Sequence, residues 1–202
     1  MRLILVRHGE SEWNREGRIL GAVDVELSEV GRRQAQAIAR ALEKEKIQVV
    51  YCSPLKRAVD TGKLISNPHG CALIPDSDLL ELNRGNLEGM MREEALKVYP
   101  NLQEGWPEAS AMPGLYGQES LNHLAVRVRK CVSRIIAQHS GETVALVAHY
   151  FVNLLILLGF LELEPQCFRH FGQDIGAISV VEIENNRSRI CLLNDTCHLP
   201  KG

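Results

Sequence analysis

The chain lacks an excess of charge of either sign. Its 202 residues include 23 lysines and arginines and 25 aspartates and glutamates, which leaves a formal net charge of -2 at pH 7. Binding to nucleic acid or to an anionic membrane surface usually relies on a cationic excess, so neither partner is expected. Any affinity for an anion must therefore come from a local cluster of cationic side chains.

Long apolar runs are also absent. The longest, YFVNLLILLGFL at 150–161, contains Asn153 and Gly159 and is shorter than the ~20 residues of a membrane-spanning helix, so it predicts a buried helix. The start of the chain, RLILV at 2–6, favours a strand over a secretory signal sequence. We therefore expect a cytoplasmic protein that binds no membrane.

The chain also lacks closely spaced pairs of cysteines. The six cysteines are scattered along the chain: Cys52, Cys71, Cys131, Cys167, Cys191 and Cys197. No C-x-x-C pair and no histidine at metal-ligand spacing accompanies them, so we expect small buried apolar side chains in a reducing cytosol rather than metal ligands. A disulfide between Cys191 and Cys197 is the alternative. Repeats and flexible linkers are lacking too, which predicts a single domain over 1–202.

Four short runs rich in β-branched residues have the length of strands. They lie at 2–6, 47–52, 71–74 and 143–148. None alternates strictly between apolar and polar residues, which is typical of strands buried on both faces of a parallel sheet.

Helical patterns separate these strands. One helix is predicted to begin after Ser28 as its N-cap, a second to run from Pro54 toward Ile65, and a third to cover 121–136. Two further strands at 177–183 and 188–193 predict an antiparallel hairpin. The sequence therefore predicts an α/β three-layer sandwich with a mostly parallel central sheet, helices on both faces and a C-terminal antiparallel hairpin.

Charged side chains follow all four predicted parallel strands. Arg7 and His8 follow the first strand, and Arg57 lies one helical turn after the second. Glu81 comes after the third strand and His149 directly after the fourth. Each has an ordinary interpretation alone, as a solvated strand end, a surface charge or a core histidine. Because the carboxyl ends of parallel strands meet at one edge, their coincidence favours a shared pocket for a compact anion such as a phosphoryl group.

These residue types divide the chemistry of phosphoryl transfer among them. An unprotonated His8 could attack phosphorus and form a phosphohistidine. Arg7, Arg57 and His149 would stabilise charge on the phosphoryl oxygens. Glu81 could protonate the leaving oxygen and then deprotonate the incoming water, so no metal is needed.

Six segments match a known family in order along nearly the whole chain. They are LVRHGESEWN (5–14), ELSEVGRRQA (26–35), SPLKRAVDT (53–61), LLELNRGNLEG (79–89), GQESLNHLAVRV (117–128) and ALVAH (145–149). Together they resemble the histidine phosphatase superfamily, the phosphoglycerate-mutase-like fold. The resemblance implies His8 as phospho-acceptor, Glu81 as proton donor, and a phosphate pocket of Arg7, Arg57 and His149. It also implies a phosphate contact from Asn14, substrate contacts from Ser11, Gly21 and Tyr150, and no required metal.

The chain departs from the family pattern in two places. Tyr150 and Phe151 stand where glycines commonly follow the second histidine. A bulky side chain at position 150 must therefore either point away from the pocket or narrow it. The usual glycine-glutamate-serine opening of the long helix is stretched over 117–120, which leaves substrate contacts from that turn open.

Other reactions fit the sequence less well. A cysteine phosphatase needs C-x5-R, and the spacing from Cys52 to Arg57 is one residue short, while no G-x-x-x-x-G-K-[ST] motif is present. A phosphoglycerate mutase of this family carries a basic run after its acid, whereas the segment 82–117 holds three basic residues against five acidic ones. Phosphatase is therefore favoured over mutase. A non-catalytic phospho-ligand or protein-binding module is a further alternative.

The segment 82–117 is predicted to cap the site. Its Trp106 and Tyr116 either contact the substrate or pack onto the domain. Because this cap is net acidic and lacks a basic run after Glu81, its basic residues are not expected to hold a carboxylate in the site, and we expect a neutral, uncrowded phosphomonoester more than a small dicarboxylate. The family branches that the chain resembles include α-ribazole phosphatases and broad-specificity monoesterases. The expected partner is then a small-molecule phosphomonoester. The sequence leaves open whether the protein forms a homodimer.

Overall fold

A six-stranded sheet forms the core of the protein, which a computed structural model describes over residues 1–100, 117, 119–185 and 187–200. The strands are β1 (Arg2–Arg7), β2 (Ile47–Cys52), β3 (Ala72–Pro75), β4 (Thr143–Ala148), β5 (Ile178–Glu184) and β6 (Arg187–Asp195). They lie in the order β3-β2-β4-β1-β5-β6. The first four in this order are parallel to one another, whereas β5 is antiparallel to both β1 and β6.

Helices cover both faces of this sheet. Among the described residues, the α-helices are α1 (Glu12–Glu16), α2 (Glu29–Ala41), α3 (Lys56–His69), α4 (Arg92–Val98), α5 (Leu121–Gln138) and α6 (Tyr150–Phe160). On one face, Ile38 of α2 and Ile65 of α3 share a buried core with Ile4. On the other, Leu124 of α5 and much of α6 share a core with Leu5, because successive strand residues point to opposite faces.

The predicted α/β fold is confirmed, with its mostly parallel sheet between two helical layers. Ser28 caps α2, because its Oγ accepts a hydrogen bond from the Gly31 amide at 3.0 Å. The apolar run at 150–161 forms the buried helix α6. The C-terminal hairpin of β5 and β6 lies at one edge of the sheet.

Two local predictions are wrong. β3 is not buried on both faces, because it is an edge strand whose one neighbour is β2, and Ala72 and Pro75 are exposed. The second helix begins at Lys56 rather than Pro54, since Leu55 is still extended with φ -69° and ψ 136°. The Asp24 carboxylate, from the loop before α2, accepts a hydrogen bond from the Lys56 amide at 2.7 Å. It thus provides a partner for an amide of the first helical turn that has none within the helix.

The cysteines follow the prediction only in part. Cys52 and Cys131 are buried, and Cys71 and Cys167 are half-buried. Cys191 and Cys197 are exposed, so the expectation of buried side chains is wrong for them. Both are also free thiols, so the alternative of a bond between them is not realised. They lie on or just after β6, an edge strand that little of the chain covers.

The described parts of the chain hold no helix that is long and apolar enough to cross a membrane. Within the same ranges, no three His, Cys, Asp or Glu side chains are grouped so as to hold a metal ion.

Two glycines allow the loop after β1 to lie directly against the start of α2. A Cβ atom added at Gly9 would lie 2.3 Å from the Gly31 carbonyl oxygen, and one added at Gly31 would lie 1.9 Å from the Glu10 carbonyl oxygen. Ser28 reinforces this contact by donating to the Glu10 carboxylate at 2.6 Å. The backbone that follows His8 is therefore held by close packing as well as by hydrogen bonds.

We predict that Gly31→Ala destabilises the protein, because its methyl group cannot fit against the backbone of Glu10. The free energy of unfolding in urea should fall by about 2 kcal/mol or more. Gly159→Ala is the matched control, since a Cβ there meets nothing within 4 Å. The control substitution should leave the free energy of unfolding unchanged or raise it slightly. An equal loss of this free energy in both variants would contradict the prediction.

Candidate active site

The two candidate histidines follow neighbouring strands in register. Arg7 of β1 pairs with Ala148 of β4, so the next residue of each strand, His8 and His149, emerges at the same edge of the sheet. The His8 amide donates to the Ala148 carbonyl at 3.1 Å, and the two imidazole centroids are 5.0 Å apart. The sheet itself therefore sets the distance between the histidines.

His8 is held as a neutral imidazole with its Nε2 unprotonated. Its side chain is 2% exposed, and Nδ1 lies 2.6 Å from the Gly9 carbonyl oxygen. A carbonyl only accepts hydrogen bonds, so Nδ1 carries the proton and Nε2 keeps its lone pair. Burial, together with the charges of Arg57 and Arg7, holds the pKa of His8 well below its usual range. The geometry thus presents a nucleophilic nitrogen at neutral pH.

His149 has the same electrostatic setting. It is fully buried, and burial together with Arg57 and His8 holds its pKa well below the ordinary value. Within the part of the chain that the structure describes, neither of its ring nitrogens has a hydrogen-bond partner. A neutral imidazole with an unused N–H can donate to an anion beside His8.

Arg57 lies in the first turn of α3 with its terminal nitrogens fixed. Nη1 donates to the Val23 carbonyl and Nη2 to the Gly21 carbonyl, both at 2.7 Å. Burial lowers the pKa of Arg57 to about 10, so the guanidinium stays charged at pH 7.

Arg7, at the end of β1, is held by the segment before β5 and by α6. Its Nη1 donates to the Gln173 carbonyl, and its guanidinium carbon lies 5.3 Å from the centroid of the Tyr150 ring. Burial lowers the pKa of Arg7 as well, although the Glu81 carboxyl opposes this effect. The Tyr150 side chain that replaces a glycine thus forms a wall against which Arg7 stacks.

Glu81 is buried at the N-terminus of α6. Its side chain is 6% exposed, Oε1 accepts from the Leu82 amide at 2.8 Å, and Oε2 accepts from the Phe151 amide at 3.3 Å. Burial raises the pKa of Glu81, against the opposing effects of these amides and of Arg84 and Arg7. Such a carboxyl keeps its proton to a higher pH than an exposed glutamate, as a general acid requires.

Four of these five side chains line a pocket of about 280 Å³. His149 is not among its lining residues and lies beside His8, with 5.0 Å between the ring centroids. The described residues that line the pocket are Arg7, His8, Asn14, Leu20, Arg57, Glu81, Arg84, Tyr150 and Phe151. A second, apolar pocket of about 170 Å³ between α5 and α6 contains none of the candidate catalytic residues.

Arg84 also lines the pocket, although the sequence did not single it out as a candidate site residue. It is 9% exposed, and its guanidinium carbon lies 4.9 Å from the centroid of the Phe151 ring. The expectation that basic residues of 82–117 stay away from the site is therefore wrong for Arg84, while Arg92 and Lys97 are exposed on α4. Its position three residues after Glu81 could have indicated that Arg84 lies near the site. The net charge of the whole segment 82–117 is acidic and gives no indication of this.

The remaining predicted residues have different positions. Asn14 and Tyr150 line the pocket. Ser11 is buried as the N-cap of α1, where its Oγ and the Asn14 side chain form a capping box, so it orients Asn14. Gly21 contributes its carbonyl to Arg57. Trp106 and Tyr116 lie outside the described residues.

The turn before α5 binds an arginine of that helix. Glu119 accepts from Arg127 Nε at 2.8 Å, and Arg127 also donates to the carbonyls of Asp78 and Glu81. Ser120 caps α5. This turn therefore helps to hold the backbone of the candidate acid.

Cys52 offers no alternative nucleophile. It lies in the core beneath α3, and burial raises the pKa of its thiol to about 12. The thiol therefore stays protonated at neutral pH.

Comparison with known proteins shows the family. The model of the histidine phosphatase superfamily (branch 1) matches residues 3–196. Phosphoserine phosphatase 1 of Hydrogenobacter thermophilus is 36% identical over 98% of this chain and 94% of its own, and the metal-independent phosphoserine phosphatase of Arabidopsis thaliana is 35% identical over 98% and 82%.

Solved structures agree with this assignment. The mycobacterial glucosyl-3-phosphoglycerate phosphatase superposes with a TM-score of 0.87 at 27% identity, covering 96% of this chain and 99% of that one. These relatives are named as phosphatases, in agreement with the preference for hydrolysis over mutase chemistry. The chain therefore belongs to the histidine phosphatase superfamily, and it is a phosphatase that hydrolyses a small phosphorylated substrate through a histidine nucleophile.

Proposed function

We propose that the protein hydrolyses a small phosphomonoester whose leaving group carries a carboxylate, with phosphoserine as the first candidate. The observation that carries this proposal is Arg84, a third guanidinium in the pocket and a neighbour of Glu81. The reaction proceeds in two displacements at phosphorus.

In the first displacement, Nε2 of His8 attacks phosphorus while the bond from phosphorus to the ester oxygen breaks. The proton of Glu81 passes to that oxygen, which leaves as an alcohol. Arg7 and Arg57, with an N–H of His149, donate to the phosphoryl oxygens and stabilise their negative charge.

In the second displacement, water attacks the phosphohistidine. The Glu81 carboxylate takes a proton from the water, the bond from Nε2 to phosphorus breaks, and its electron pair returns to His8. Inorganic phosphate leaves, and both side chains regain their starting protonation states.

Arg84 lies on the leaving-group side of this reaction. Glu81 must reach the ester oxygen, and Arg84 lines the same pocket, where its charge opposes the rise in the pKa of Glu81. A guanidinium fork there matches a carboxylate within the leaving group. This replaces the expectation of a neutral ester, which assumed that no basic side chain of the cap reaches the pocket.

The relatives add independent support. Two are named as phosphoserine phosphatases and one as a glucosyl-3-phosphoglycerate phosphatase. Phosphoserine and phosphoglycerate both carry a carboxylate near the phosphoester. A phosphatase that acts on either ester therefore benefits from a cationic side chain beside the leaving group, because that group carries a negative charge.

The first prediction concerns the nucleophile. His8→Ala should lower kcat by about 10³-fold or more and abolish acid-labile, base-stable labelling of the protein by phosphorylated substrate. Circular dichroism should show an intact fold. His123 is exposed, and His123→Ala is the control, which should keep the kcat and the labelling of the unmodified protein. Labelling that persists in His8→Ala would move the nucleophile to His149.

The second prediction concerns the acid. Glu81→Gln should lower kcat by about 10²- to 10⁴-fold on phosphoserine and far less on p-nitrophenyl phosphate, whose leaving group scarcely needs a proton. In the unmodified protein, kcat/KM for phosphoserine should fall as the pH rises through the raised pKa of Glu81, because the proton donor is then lost. This alkaline decline should vanish in Glu81→Gln. Equal losses on both substrates would assign Glu81 a purely structural role.

The third prediction concerns the substrate. Arg84→Gln removes the cation beside the leaving group, so kcat/KM for phosphoserine should fall by roughly 10- to 100-fold. The value for p-nitrophenyl phosphate should change by less than about threefold, since that ester has no carboxylate. Lys97→Gln, on the exposed side of α4, is the control. Equal losses on both esters would mean that Arg84 serves the phosphoryl group instead.

A further inference from the structure

One carboxylate outside the pocket is connected to two of its arginines. Glu88 follows the short 3₁₀ helix Gly85–Leu87 and does not line the pocket. Its Oε1 accepts from the amides of Ala22 and Arg84, each at 2.8 Å. Its Oε2 accepts from the Val23 amide at 3.1 Å.

The loop 21–23 joins Glu88 to Arg57. Its amides donate to Glu88, while its carbonyls at Gly21 and Val23 accept from the two terminal nitrogens of Arg57 at 2.7 Å. Val23 is 38% exposed, so little apolar packing holds this part of the loop. The position of the carbonyls that orient Arg57 thus depends on hydrogen bonds to Glu88.

Gly21 provides a second, independent observation. A Cβ atom added there would lie 2.1 Å from Oε1 of Glu88 and 2.8 Å from Cγ of Arg84. The carboxylate can reach the loop amides because this position has no side chain. The loop and the Glu88 segment are therefore fitted closely to each other.

We propose that Glu88 is a positioning residue that fixes Arg57 for the phosphoryl group and the backbone of Arg84 for the leaving group. It acts through the loop 21–23 on one side and through the Arg84 amide on the other. The part concerning Arg84 rests on the proposed function, whereas the part concerning Arg57 needs only a phosphoryl group in the pocket.

The carboxylate form of this side chain matters because it only accepts hydrogen bonds. A glutamine at 88 keeps one oxygen for the amides of Ala22 and Arg84, but its NH₂ group would face the Val23 amide, which is also a donor. Glu88→Gln therefore disturbs the carbonyl of Val23 and, through it, Nη1 of Arg57. Gly21→Ala separates the loop from an unchanged carboxylate by steric contact.

The test measures the inhibition constant of inorganic phosphate, with p-nitrophenyl phosphate as substrate. Glu88→Gln and Gly21→Ala should each raise this constant by about 10-fold with a smaller change in kcat, because anion binding loses a well-oriented guanidinium. The exposed Glu94→Gln on α4 is the matched control and should leave it unchanged.

A double-mutant cycle separates positioning from general damage to the fold. In an Arg57→Ala background, Glu88→Gln should raise the inhibition constant by less than about twofold, because its effect passes through Arg57. A full 10-fold rise in that background, or no rise in either background, would overturn the proposal. Because inorganic phosphate has no leaving group, a failure of the phosphoserine proposal would leave this result unaffected.

Discussion

Three guanidinium groups must be buried together beside two histidines, and this accumulation of positive charge governs the rest of the site. Arginines are costly to remove from water and repel one another at short range. The fold offsets this cost with backbone carbonyls that accept from Arg7 and Arg57 and with aromatic rings against Arg7 and Arg84. The charge of the Glu81 carboxylate also attracts all three guanidinium groups. Burial, reinforced by the charges of Arg57 and Arg7, keeps His8 a neutral imidazole, so the guanidinium groups that suit an anion also favour the nucleophilic form of His8.

The aromatic pair after His149 departs from the family pattern and contacts two of the buried arginines. Tyr150 stacks with Arg7, and Phe151 stacks with Arg84, while the Phe151 amide donates to Glu81. A pair of glycines would leave the backbone amides in place but offer no ring to either guanidinium. The two bulky side chains therefore organise the cationic wall of the pocket.

The sequence predicted the strands and the layers, because these depend on local signals, and the structure brings the five candidate residues that follow the strands close together. Apolar runs indicate strands, and charged residues directly after them indicate the edge where parallel strands end. Arg84 was missed because its meaning depends on where Phe151 lies, a contact between segments distant in the chain. For the same reason, the sequence could not reveal that Ser11 orients Asn14, that Gly21 makes room for Glu88, or that Asp24 completes the first turn of α3.

The register between β1 and β4 also has a consequence for how the protein folds. His8 and His149 become neighbours through a pairing between the beginning of the chain and its last third, and long-range pairings of this kind form slowly. Partly folded chains that lack this pairing do not bring His8 beside His149 and so lack the proposed phosphate pocket, even if α2 or α5 has already formed. On the proposed function, inorganic phosphate would bind the completed fold alone, and its binding would draw the folding equilibrium toward the native state.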